Sequence, residues 1–93
     1  MNQQEASLVG LRALERFRNL DYSDLVPLLD RRETVEVHGP SGATYQVEFN
    51  LFWDSRPNEV IRVQALVDDG GASAFRPFVE EFLRAPDGSF VGE

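Results

Sequence analysis

His38 is the only histidine, and the chain has no cysteine and no lysine. The side chains that most often carry nucleophilic, metal or Schiff-base chemistry are therefore nearly absent. A lone imidazole holds a metal only with carboxylates beside it, and activates a hydroxyl only when the two are aligned. The nearest hydroxyl downstream, Ser41, lies three residues on in the same glycine-rich turn, a poor place for an aligned, shielded nucleophile. Thr34, Glu36 and Thr44 are the neighbours expected around His38, which reads as an exposed surface histidine.

Paired carboxylates are the next chemistry to ask for. Glu80 and Glu81 are adjacent, and on the helix predicted for that stretch they do not face each other. Asp54 and Glu59 meet at an exposed hairpin end, without the burial that shifts a carboxyl into a useful range. Gly39-Pro40-Ser41-Gly42 lacks the Lys-Ser/Thr and following helix of a phosphate loop. Asp68-Asp69-Gly70-Gly71 and Asp87-Gly88-Ser89 lack the ligand spacing of a calcium loop. The sequence therefore assigns no catalytic, cofactor-binding or metal-ligating residue and reads as a non-enzyme.

The charge balance narrows the partners. All nine basic residues are arginine, against sixteen acids, for a net charge of −7. The excess is spread evenly, so no basic patch suits a phosphate backbone, and nucleic acid is excluded as a partner. No apolar run approaches the ~18 residues of a membrane span, and the polar, acidic start (Met1 to Glu5) is unlike a basic signal peptide. A cytoplasmic protein is the expectation. Ninety-three residues, 42% of them hydrophobic, suit one domain with one core.

The elements that position these residues follow from periodicity. Asn2 and Glu5 have capping-box spacing and open a helix to about Arg18, with Ala6, Val9, Gly10, Ala13, Leu14 and Phe17 on one stripe. Gly10 in that stripe implies a close approach of helix to sheet. Leu8 and Leu11 lie off it, as ordinary exposed leucines. A short second helix follows, capped by Ser23 or Asp21, with Leu25, Leu28 and Leu29 inward. Arg31 and Arg32 close it as a solvated turn rather than an anion site.

Glu33–His38, Ala43–Asp54 and Glu59–Asp68 alternate with period two and read as three strands. Val37 opposite Tyr45 and Val35 opposite Val47 keeps all four on one face and leaves a Pro40–Gly42 loop, with glycine at the left-handed position. The second hairpin needs an odd loop of three or five residues, or a bulge. Phe75, Phe78, Val79, Phe82 and Leu83 then recur at helical spacing, with Ser73 or Pro77 at the start and Arg84 in the last turn; a strand over Phe78–Leu83 is the alternative, but it breaks the apolar alternation. The Pro86–Glu93 ending has no assignable chemistry. The predicted fold is α+β in two layers: a three-stranded antiparallel meander with helices on one face, in the order α-α-β-β-β-α.

That architecture leaves one sheet face open. Phe52, Val60 and Leu66 fall there among Arg62, Glu48 and Asn50, and these six form the candidate interaction surface. The core-facing aromatics, Phe17, Tyr45, Phe49, Trp53, Phe75, Phe78 and Phe82, read as packing. The leading expectation is a small non-catalytic protein-interaction module using the open face or an edge, through a protein partner or by self-association as a homodimer. The alternatives are an acidic inhibitor or immunity-type protein masking a basic partner, and a small-molecule binder with a pocket between helices and sheet near Trp53 and Tyr45.

Overall fold

A computed structural model of the chain describes residues 1–71 and 76–93. The expectations for Ser73 as a cap and Phe75 as a core residue lie outside them. The element order is α1 (Gln3–Arg18), α2 (Tyr22–Leu25), a 3-10 turn (Val26–Leu28), β1 (Arg32–His38), β2 (Thr44–Trp53), β3 (Ile61–Asp68) and β4 (Phe78–Arg84). The strands form one antiparallel sheet in the order β1-β2-β3-β4. The α+β class and the meander stand. The strand count is four rather than three, and the expected final helix is replaced by β4.

The residues of β4 explain that difference. Phe78, Glu80, Phe82 and Arg84 take the helix side of the sheet; Val79, Glu81 and Leu83 take the other. A glutamate and an arginine on the inner side spoil the apolar alternation that marks a strand. Both have partners remote in sequence. Glu80 accepts a hydrogen bond from the Ser7 hydroxyl of α1 at 2.7 Å. The Arg84 guanidinium donates to the carbonyls of Arg18 (3.2 Å) and Leu20 (3.0 Å), just where α1 ends and leaves carbonyls without helical donors. A third bond goes to the Gly88 carbonyl at 2.8 Å. Arg84 thus closes a helix from the sheet rather than from that helix's own last turn.

The predicted hairpin register is the observed one. Val35 pairs with Val47 and Val37 with Tyr45. Gly42 takes φ +89°, and its N–H bonds the Gly39 carbonyl at 2.9 Å. In the second hairpin Trp53 pairs with Ile61 and the Asp54 N–H meets the Val60 carbonyl at 2.8 Å, leaving the odd loop Ser55–Glu59 with Asn58 at φ 65°.

One core lies between α1 and the sheet: Ala6, Val9, Leu14 and Phe17 from the helix, Leu25 from α2, and Tyr45, Val47, Phe49, Leu51, Ile61, Val63, Ala65, Val67 and Phe82 from the strands. Trp53 and Phe78 are only half-buried at its margin. A Cβ at Gly10 would lie 3.0 Å from Glu80 Cγ and 3.3 Å from Val67 Cγ2, the close approach its place in the stripe implies. The helix lies over β3 and β4 and only marginally over β2. Hence Val35 and Val37 on β1 stay half-exposed, while every inward residue of β3 is buried.

Asn2 caps α1, its Oδ1 accepting the Glu5 N–H at 3.0 Å. The expected reciprocal half of the capping box is not made. Glu5 instead reaches the β1–β2 turn, accepting from the Tyr45 hydroxyl (2.6 Å), the Ser41 hydroxyl (2.7 Å) and the Ser41 N–H (2.8 Å).

Candidate functional site

The outer sheet face is built by strand parity. Phe52 stands opposite Arg62, Asn50 opposite Gln64 and Glu48 opposite Leu66. Val60 adjoins Asp54 one step further along the same hairpin. All six candidate residues therefore belong to one face, but they are not one apolar patch. Arg62 stands between them, its guanidinium paired with Asp54 at 2.6 Å and with Glu81. The side chain of Gln64 donates to Glu81 at 3.1 Å. This polar row separates Phe52 and Val60 from Leu66.

Sequence reasoning missed the contribution of β4. Leu83 pairs with Arg62 and Val79 with Leu66, so each apolar cluster gains a residue. Val79 is 43% exposed. Strand parity over Phe78–Leu83 was the available signal, masked by the helical spacing of the same residues. Toward β1 the face turns acidic: Glu48 opposes Thr34, and Glu36 opposes Gln46.

The two sheet edges differ. On β4, Arg84 and Phe90 form a β-bridge, and the Val91 N–H donates to the Leu83 carbonyl at 3.0 Å. The Phe82 and Phe90 rings meet edge to face at 5.6 Å, and Arg18 holds Glu93 through two bonds of 2.8 Å. The chain's last residues thus pair with the end of that edge, at Leu83 and Arg84. Among the described residues nothing pairs with the outer edge of β1.

A depression of about 450 Å³ opens at the start of β1, where the end of α1 parts from the 3-10 turn. Phe17, Leu20, Leu28, Phe49 and Leu51 give it an apolar floor; Arg16, Arg31, Arg32 and Glu33 form its polar part. The Phe17 and Phe49 rings meet edge to face at 5.0 Å, and the Arg16 guanidinium lies over both, 4.4 and 4.6 Å from their centroids. Arg16 also pairs with Glu33, and this bond holds the Glu33 carboxyl below its ordinary range. Neither Trp53 nor Tyr45, beside which a pocket was expected, lines this depression. Arg31 and Arg32 also line a second, smaller depression of about 300 Å³ with Asp30, Asn50 and Phe52.

The remaining chemical candidates are held in other contacts. His38 is exposed, with Nδ1 3.2 Å from Thr44 Oγ1. The Ser41 hydroxyl turns to Glu5 rather than to His38. Asp54 pairs with Arg62, away from Glu59. Glu80 and Glu81 point to opposite sides of the sheet. The hydrogen bond from Tyr45, then those from Ser41, keeps Glu5 deprotonated below its ordinary pKa, and the same carboxylate raises the Tyr45 hydroxyl to about 12. Among the described residues no three histidine or carboxylate side chains come together as a metal site, and no helix is long and apolar enough to cross a membrane. In comparison with known proteins, the chain has no significant match to a family model, a curated protein or a solved structure.

Proposed function

We propose that the protein is a small non-catalytic interaction module that receives a protein partner on the β1 side of its sheet. The observation carrying this reading is the unequal treatment of the two edges. The β4 edge is partly covered by the chain's own last residues, whereas β1 offers an unpaired backbone along Arg32–His38. Val35 and Val37 on its inner side are only half-covered. A partner strand added there gains main-chain hydrogen bonds and buries those two valines. The open face beside it, with Phe52 and Leu66, enlarges the contact.

The test combines capture and sedimentation. Tagged protein is used to retrieve partners from native lysate, with Val37→Lys, Phe52→Glu and Leu66→Glu as comparisons and thermal melting as the check on folding. The expected result is a defined partner, or a self-associated species, lost in at least one folded variant. A monomer at high concentration whose variants retain the wild-type capture profile refutes the reading.

A second reading, an acidic protein that masks a basic partner, draws on Glu36 and Glu48, which share the β1 side of the open face. It requires binding that weakens steeply with salt and on Glu36→Gln/Glu48→Gln substitution.

A further inference from the structure

The depression at the start of β1 combines two properties that select a ligand class. Its floor is formed by apolar groups, Phe17, Leu28, Phe49 and Leu51 among them. Its volume, about 450 Å³, falls in the range of small-ligand sites, roughly 300–1,000 Å³. Its lining includes three arginines, and only one of them is neutralised: Arg16 is paired with Glu33, while Arg31 and Arg32 have no carboxylate partner among the described residues, Arg32 standing opposite Asn50 at the boundary with the outer face. In a chain of net charge −7, these three arginines against Glu33 and the adjoining Asp30 leave a local excess of one positive charge beside an apolar hollow.

We propose that this depression binds an amphipathic monocarboxylate, an acyl or aryl body lying on Phe17, Phe49 and Leu51 with its carboxylate at Arg31 and Arg32. The head group follows from charge. Guanidinium groups match a carboxylate through paired, charge-assisted hydrogen bonds. Glu33 at the same rim and the acidic surface around it disfavour a dianion, so a carboxylate fits better than a phosphomonoester. The body follows from the floor: a purely polar anion leaves Leu28, Phe49 and Leu51 in water, whereas an alkyl or aromatic group removes them from it. The Arg16 guanidinium sits against both phenylalanine rings, 4.4 and 4.6 Å from their centroids, so it helps form the wall while Arg31 and Arg32 remain available to the head group. The site shares Arg32 and Glu33 with the start of β1, but its test uses the protein alone and so reads separately from partner binding along that edge.

The probe is decanoate, held below its micellar concentration and titrated into isotopically labelled protein by NMR. Decanol, decyltrimethylammonium and decyl phosphate serve as matched chains with other heads. The expected result is saturable one-to-one binding of decanoate, with shifts centred on Phe17, Leu28 and Phe49. Binding weakens about tenfold in Arg31→Gln/Arg32→Gln, the loss of roughly one charge-assisted hydrogen bond at a solvent-facing rim. Both arginines are exposed, so the double variant keeps the fold, and its unchanged spectrum away from the rim verifies this. Absence of saturable binding, shifts centred elsewhere, equal affinity for the alkylammonium, or indifference to the double substitution each overturns the proposal. Tighter binding of decyl phosphate overturns the assignment of the head group.

Discussion

Replacing Arg84 with methionine removes the guanidinium and keeps a stem of similar length. Arg84 is 8% exposed and donates to three backbone carbonyls, those of Arg18, Leu20 and Gly88. A hydrogen bond to a charged group contributes about 1.5–3 kcal/mol when its loss strands a buried partner, and nearer 1 kcal/mol when water reaches that partner. The carbonyls at the end of α1 lie near the surface, so the lower figure applies to most of the three. Burial of the cation itself sets a cost against the total. The expected net loss is about 2–4 kcal/mol, a substantial share of the roughly 5–14 kcal/mol that a chain of this length has to lose. In urea, with a slope of about 1 kcal/mol/M for a small domain, the midpoint falls by about 2–4 M. Amide exchange should accelerate together in the last turn of α1 and in residues 88–93, because one side chain ties both to the sheet. A loss below about 0.5 kcal/mol, the scale of an ordinary surface substitution, would refute the reasoning. So would faster exchange confined to one of the two segments.

The other predictions concern the core and the Glu5 contact. Phe82→Ala should cost about 3–5 kcal/mol by denaturant titration, because the ring is buried and packs on Phe90; a loss under about 1 kcal/mol is incompatible with β4 as an inward-facing strand. Gly39→Ala places a Cβ 2.7 Å from Glu5 Cδ and 3.0 Å from Tyr45 Cε2. It should destabilise by about 1–3 kcal/mol through crowding, and an unchanged midpoint would show that Glu5 is not held there. Glu5 has a lowered folded pKa, so its contribution is present above the ordinary value of 4.5 and disappears as pH falls through the folded value. Tyr45 has a raised one, so its contribution is present below 10 and is lost as pH rises toward about 12. Stability measured against pH should therefore be flatter for Glu5→Gln on the acid side and for Tyr45→Phe on the alkaline side; wild-type slopes in both variants refute the pairing.

How far the sequence could be read depended on where each residue's partner lies. The two hairpins were legible because pattern and turn chemistry are local: Gly42 and the Val35/Val47 pairing belong to one short stretch. The stripe of α1 was legible for the same reason. Glu5 was not, since a glutamate three residues after an asparagine fits a capping box equally well, and its actual partners, Ser41 and Tyr45, are 36 and 40 residues away. Glu80 and Arg84 misled more strongly. Their partners on α1 and just beyond its end are 73 and 64–66 residues distant, so two satisfied inward polar groups looked like a broken strand pattern. The same error hid Val79 and Leu83 from the candidate surface. Arg31 and Arg32 read as a solvated turn because the apolar floor beside them comes from α1 and β2, which only the fold brings to that place.

These long-range contacts also give the molecule its polarity. Arg18, Glu80 and Arg84 all tie α1 to the β4 side, and the last residues fold back over the same edge. Although Arg16 reaches Glu33 on β1 and Glu5 reaches the β1–β2 turn, the body of the helix lies over β3 and β4 and leaves Val35 and Val37 half-covered. A helix centred on the sheet would bury those valines and fill the hollow beneath Arg16. Its displacement leaves unpaired backbone, half-covered valines and two unpaired arginines together at one margin. Loosening the opposite margin offers a way to separate position from local chemistry. If Arg84→Met lets α1 shift toward β1, the hollow at Phe17 and Phe49 should close, and affinity for decanoate should fall although no residue of the site has changed. Unaltered affinity in a folded Arg84→Met protein would show that the hollow is fixed by its own lining and not by the anchoring of the helix on the far side.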